Sequence, residues 1–245
     1  MQEKDKAQKH FGVLVVPGKY GLHLTRENYA IIDNRPSFKL SFSPECTVDF
    51  IKKQKNKYVI DETITINSVQ YVTKHHYTEA WCHQQYQACK DNYELNMLFY
   101  SNLDEQKFNK KINAFLRRNT GFKPVIDLND YAGEQGYYLM VLDEYKQIYI
   151  GTSSNIKKRI QSHWTIRKAF DRLLFGSVEE SRISIDSFRA LDTTRIYAYK
   201  TWKTYDDEDK YIRFFPDEFV CNRVAGGAME LGTLQAYGTR KERKL

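Results

Sequence analysis

At 245 residues the chain has room for one large domain or two small ones, and it is long enough to bury a core without disulfide staples. Hydrophobic residues at 41% beside charged residues at 28% belong to the soluble globular class, and no apolar run approaches the ~20 residues of a membrane span. The net charge of +7 favours a polyanionic partner, because basic surfaces release counterions on meeting phosphate.

Cys46, Cys82, Cys89 and Cys221 are scattered with no CxxC pair, which favours reduced thiols over a disulfide framework. The leading MQEKDKAQKH has no hydrophobic signal region, so a cytoplasmic location is expected. From about 11 to 76 the chain reads as strand-rich. GVLVV, YAIID, FKLSF and YVIDETITI are short β-branched or alternating runs, broken by Pro17-Gly18, by 34–36 and by Ser43-Pro44. From about 77 to 118 the pattern is helical, in TEAWCHQQYQACKDNYELNMLFY and DEQKFNKKINAFLRR. In the second, Phe108, Ile112, Phe115 and Leu116 share one face. The stretch NTGFKPVIDLNDYAGEQG is rich in Gly, Pro, Asn and Asp, and it predicts a boundary between an N-terminal module, 1–130, and a second domain, 131–245.

Beyond it, YYLMVL and QIYIG read as a hairpin around the polar DEYK. Ser154 stands where the cap of a helix through NIKKRIQSHW is expected, with Ile156 and Ile160 inward; more helix is expected in KAFDRLLF. RIYAY predicts another strand, and DEDKYIRFF a helix that Pro216 stops. The fold class expected is α/β in the broad sense (α+β), a small, mainly antiparallel sheet flanked by helices, preceded by an α+β module.

Paired antiparallel strands bring Tyr138 and Tyr149 together, and a four-residue helical step puts Arg159 and His163 on one face. That face differs from the one carrying Ile156 and Ile160, so both side chains are expected to point away from the core. Two phenols, a guanidinium and an imidazole thus gather near a helix N-terminus, where phosphate binding is favoured.

With these residues in place, the segment GYYLMVLDEYKQIYIGTSSNIKKRIQSHW, followed downstream by DDEDKYIRFFPDEFVCNR, resembles the GIY-YIG nucleases. The resemblance covers about residues 134–225. The Tyr-to-Tyr and Gly-to-Arg spacings agree, as does the trailing histidine, and Glu208, Ile212, Pro216 and Asn222 follow in family order. Tyr137 stands where the family has isoleucine. The resemblance implies a metal-dependent endonuclease that hydrolyses phosphodiester bonds in DNA, RNA not being excluded, and leaves 5′-phosphate and 3′-hydroxyl ends. It further implies that Tyr138, Tyr149, Arg159, His163, Glu208 and Asn222 are catalytic. Tyr138 would be the general base, Tyr149 would orient water and phosphate, and His163 would receive or relay the proton. Glu208 would hold a single Mg²⁺ or Mn²⁺, because hard cations take carboxylate oxygen, and Arg159 would clamp the scissile phosphate with its forked donors. Asn222 would fix the geometry by hydrogen bonds.

Glu218 rivals Glu208, which sits in an acidic cluster with Asp206, Asp207 and Asp209. Lys157, Lys158, Arg167 and Lys168, with Arg159 and Arg172, are opposed nearby only by Asp171, and the first four are expected to contact DNA backbone. His75, His76, Cys82, His83 and Cys89 are zinc-ligand types in no standard spacing. Residues 1–130 would serve target choice, dimerisation as a homodimer, or partner docking. Neither a helix-hairpin-helix signature nor a zinc finger is seen, which favours a restriction, defence or mobile-element setting over repair. The alternative is a nucleic-acid-binding or interaction module that keeps the fold with little or no cleavage.

Overall fold

The computed structural model describes residues 6–222 apart from Lys19, Asp33, Arg35, Pro36, Lys39, Leu40, Lys55, Arg167, Ala169, Phe175 and 204–206. Its elements follow in the order β1 (Gln8–His10), β2 (Val13–Val15), α1 (Arg26–Tyr29), β3 (Ser37–Phe38), α2 (Val48–Lys53), β4 (Tyr58–Ile66), β5 (Val69–Tyr77), α3 (Glu79–Ser101), α4 (Glu105–Arg118), β6 (Lys123–Pro124), β7 (Gly136–Leu142), β8 (Gln147–Ser153), α5 (Ile156–Thr165), β9 (Arg195–Lys200) and α6 (Glu208–Ile212). The fold is α+β with small antiparallel sheets. β1 pairs with β2, a second sheet runs β3-β5-β4, and the third runs β6-β9-β7-β8.

The four-stranded sheet organises the molecule. Every residue of its central strand β7 is buried, so both faces are covered and the run lacks the polar alternation of a one-sided sheet. Successive side chains of β7 feed two different cores. Tyr138, Met140 and Leu142 join Ile156, Ile160 and Trp164 of α5 and Cys89, Phe99 and Tyr100 of α3. Tyr137, Leu139 and Val141 join Phe108, Ile112 and Phe115 of α4 and Tyr211 and Ile212 of α6. Both cores therefore run across the boundary expected between 130 and 131. The segment 119–135 supplies buried Phe122, Val125 and Leu128 to them, despite its loop-like composition.

Helix starts follow their caps. Thr78 accepts from the Trp81 N–H ahead of α3, and Asp104 accepts from Lys107 N–H ahead of α4, whose last turn carries Arg117 and Arg118 opposite its dipole. At α5 the cap is Asn155, which accepts from Lys158 N–H, one residue later than the expected Ser154. α5 ends at Thr165 and does not continue through KAFDRLLF. The Arg189 guanidinium donates to the carbonyls of Trp164 and Ile166, both at 3.2 Å, and ties off the helix end; among the described residues of KAFDRLLF the helical element is a short 3₁₀ turn at Phe170–Arg172. α6 spans five residues only, because Phe214 and Phe215 take i→i+3 bonds and Phe215 turns into the core. Residues 29–32, the described part of YAIID, are not a strand, since the Thr25–Asn28 capping box starts α1, which takes in Tyr29.

Candidate active site

The hairpin register fixes the first part of the site. Tyr138 stands opposite Gly151 and Met140 opposite Tyr149, so the two tyrosines are diagonal neighbours on one face, with ring centroids 6.0 Å apart. Gly151 is required for this: a Cβ there would overlap the Tyr138 hydroxyl. Gly136 meets a similar constraint, its missing Cβ making room for the carbonyl of Tyr199 on β9.

The α5 face completes the cluster. The Tyr138 hydroxyl lies 2.8 Å from His163 Nε2, and the Tyr149 ring lies 4.8 Å from the imidazole. The Arg159 guanidinium lies near enough to both phenols to act on them electrostatically. His163 therefore does not point away from the core as its helical position implied; it is buried under the segment around a 3₁₀ turn at Ile185–Ser187, whereas Arg159 is exposed. That turn brings Asp186, whose Oδ1 lies 2.6 Å from His163 Nδ1. Asp186 lies 23 residues beyond His163 in an irregular segment, where no periodicity or motif signals it.

Electrostatics follow from this packing. Burial raises the Tyr138 phenol well above its ordinary value of 10.0 and pushes Tyr149 up to about 12, with Arg159 pulling both the other way. Burial also lowers His163, more than its hydrogen bond to Asp186 restores, which favours the neutral imidazole. Asp186 is itself partly desolvated, but His163 and Lys168 hold its carboxyl well below the usual range.

Glu208 opens α6 and is buried. Burial, reinforced by the Asp209 carboxylate, pushes it up to about 7, and Arg159 draws it down. Glu208 also acts electrostatically on Tyr149, which puts the carboxyl in the same neighbourhood as the phenols. Tyr137, at the position that departs from the expected motif, accepts a 3.2 Å bond from the Asp207 N–H and packs edge-on against Tyr211; it thereby ties β7 to the helix that carries Glu208. The rival Glu218 is engaged elsewhere, 2.6 Å from Lys107 of α4. Asn222 pairs with β8 as a peptide group would: its Oδ1 accepts from Ile150 N–H at 3.1 Å and its Nδ2 donates to Ile150 O at 2.7 Å. The strand edge beside Tyr149 and Gly151 is thereby fixed.

The donor chemistry at Glu208 fits a hard divalent cation. An ionised carboxylate there is disfavoured by burial and by Asp209, a penalty that a cation would relieve, and Asp209 Oδ1 is buried with no hydrogen-bond partner among the described residues. No group of three or more His, Cys, Asp or Glu is gathered for a metal among the described residues, so the ion would rest chiefly on Glu208. The zinc-type residues are strung along β5 and α3. His76 bonds Asp61 at 2.9 Å, His75 packs on Tyr58, Cys82 and Cys89 are buried, and His83 is exposed.

Of the expected backbone contacts, Lys158 is exposed, and Lys157 donates to Asn129 Oδ1 at 2.7 Å. Lys168 is engaged within the protein. It is drawn inward, with Nζ 2.9 Å from Asp186 Oδ2 and 3.1 Å from Ser184 Oγ, because a desolvated carboxylate at the site needs a counter-charge. Arg167 lies outside the described residues, as does Asp206. No helix among the described residues is long and apolar enough to cross a membrane. Comparison with protein-family models, with curated proteins and with solved structures found no match.

Proposed function

We propose that the chain is a metal-dependent endonuclease of the GIY-YIG type, hydrolysing phosphodiester bonds in DNA to leave 5′-phosphate and 3′-hydroxyl ends. The observation that carries this reading is the 2.8 Å hydrogen bond between the buried Tyr138 phenol and the His163 imidazole, with Tyr149 packed against the same imidazole and the Arg159 charge acting on both phenols. A lone phenol is too weak an acid to act as base at neutral pH, and burial weakens it further. Paired with His163, Tyr138 need never be a free phenolate. As its oxygen takes a proton from the attacking water, its own proton passes to Nε2. The water oxygen bonds to phosphorus as the P–O3′ bond breaks, and the proton that the 3′ oxygen gains comes from solvent. Arg159 neutralises charge on the phosphoryl oxygens, and Tyr149 orients water and phosphate. Mg²⁺ or Mn²⁺ held by Glu208 would supply Lewis-acid stabilisation of the leaving oxygen.

The test is incubation of the full chain with mixed DNA and RNA substrates in Mg²⁺, Mn²⁺ or EDTA, with Tyr138→Phe as control. Cleavage is expected with either metal and lost in chelator, while DNA binding at low salt survives. Binding without cleavage in any metal would replace the reading with that of a nucleic-acid-binding module, and undiminished cleavage in EDTA would remove the metal from it.

A further inference from the structure

Between Tyr138 and Asp186 the imidazole of His163 has one partner on each nitrogen, at 2.8 and 2.6 Å. A neutral imidazole has one donor and one acceptor, and which nitrogen is which depends on its partners. Asp186 decides. Its Oδ2 lies 2.9 Å from the Lys168 ammonium, and its Oδ1 faces Nδ1. An ionised carboxylate can only accept, so Nδ1 carries the hydrogen, Nε2 presents its lone pair, and the Tyr138 hydroxyl must donate to it. Other charged or titratable groups around the ring are Tyr149 from β8, Arg159 from its own helix and Lys168; the two cations disfavour a second proton on the imidazole.

The turn bearing Asp186 is itself held. Asn92 and Asn96, fully buried and one helical turn apart on α3, donate to Ser181 O at 2.7 and 3.3 Å, and Asn96 Oδ1 accepts from Ile183 N–H at 3.4 Å. Buried polar groups spent on a loop backbone fix where that loop goes.

We infer that Asp186 is a positioning residue of this site, which through its bond to Nδ1 locks His163 in the tautomer that leaves Nε2 free to take the Tyr138 proton. The inference rests on the nuclease reading for its catalytic consequence but not for the tautomer itself. Lys168, on the far oxygen, keeps the carboxylate an acceptor. After proton transfer Asp186 faces an imidazolium and stabilises it, so its contribution is larger in the transition state than in the resting enzyme.

The experiment uses the full chain with ¹⁵N-labelled histidine. In wild type, long-range ¹H–¹⁵N spectra should show His163 protonated at Nδ1 and bare at Nε2. Asp186→Asn can donate through its amide, so Nδ1 becomes the acceptor and the tautomer should reverse. DNA affinity, measured in Ca²⁺, should stay within a few-fold, whereas kcat in Mg²⁺ should fall by ~10²-fold or more with KM little changed. Asp186→Glu keeps an acceptor and should restore the tautomer and part of kcat. A wild type that cleaves nothing sinks the nuclease reading while leaving the spectra to decide the tautomer. Wild-type His163 protonated at Nε2 overturns the inference, and so does a folded Asp186→Asn with the wild-type tautomer and kcat. Should Asp186→Asn fail to fold, the wild-type tautomer and the Asp186→Glu spectrum decide in its place.

Discussion

Glu208→Gln offers a test in which stability and activity should move in opposite directions. In the folded, metal-free protein this carboxyl has its pKa raised from an ordinary 4.5 to about 7. Between those two values the folded state binds more protons than the unfolded state, so the group makes stability fall as pH rises from about 4.5, and the full penalty stands above 7. The span corresponds to ~3 kcal/mol for holding Glu208 ionised at pH 8. Glutamine keeps the shape and removes the charge. Urea unfolding of the full chain in EDTA should therefore find Glu208→Gln equal to wild type near pH 4 and more stable by about 2–3 kcal/mol at pH 8. Saturating Mn²⁺ should narrow the gap, because it binds only the folded, ionised wild type. Cleavage by the variant should fall to background, while DNA binding stays equal or tightens with the loss of a negative charge facing phosphate. A variant no more stable than wild type at pH 8, or a difference independent of pH, would refute the picture of a buried carboxylate awaiting a cation.

Tyr138→Phe removes one oxygen from a tightly packed ring. Thermal stability should change little, and single-turnover cleavage should slow by ~10²-fold or more; normal activity, with Tyr149→Phe inactive, would move the base to β8. Gly151→Ala drives a methyl into the Tyr138 hydroxyl, so it should cost about 1–3 kcal/mol in unfolding and displace the phenol from His163. A variant with wild-type stability and cleavage would show that the strand yields there freely. Residues 131–245 alone should be insoluble or unfolded by circular dichroism, since they lack Phe108, Ile112 and Phe115, which cover one face of β7 with no solvent exposure. A soluble, cooperatively folded fragment would mean that the sheet can close over that face by itself.

The features legible in the sequence are those whose signal is local. Two short apolar runs around a polar turn located the hairpin, and the antiparallel register then placed Tyr138 and Tyr149 together. Thr78 and Asp104 marked the starts of α3 and α4. What escaped depends on partners far along the chain. The strand β5 lies in a stretch read without a strand of its own, and its pairing with β4 is what makes it one. His163 looked exposed because helical periodicity describes a face but not what covers it, and the cover is the segment around Ile185–Ser187. Asp186 sits among serines and isoleucines that carry no pattern. The ion pair of Lys168 with Asp186 was invisible in the sequence for the same reason. The loop-like composition of 119–135 suggested a linker, but composition cannot report that Phe122, Val125 and Leu128 are buried.

The same long-range contacts argue that the N-terminal elements belong to the site as well as to the fold. α3 contributes Cys89, Phe99 and Tyr100 to the core beneath Tyr138, and its Asn92 and Asn96 hold the loop that delivers Asp186. Tyr29 of α1 donates to Asn92 Oδ1 at 2.7 Å, so α1 is joined to that network as well. A hydroxyl lost at Tyr29 would leave Asn92 Oδ1 with its 3.1 Å bond from Asn96 Nδ2 alone, at a cost of about 0.5–1.5 kcal/mol, and the strain would fall on the asparagines that hold the Asp186 loop. Substitutions far from the phenols can therefore reach the Tyr138–His163 bond by shifting the residue that orients the imidazole. Such coupling runs through one of the two cores that cross residue 130: the hydrogen-bonded chain from Tyr138 through His163 to Asp186 begins on the sheet and ends on a loop that α3 anchors, so removing α3 would take away the asparagines that hold its far end.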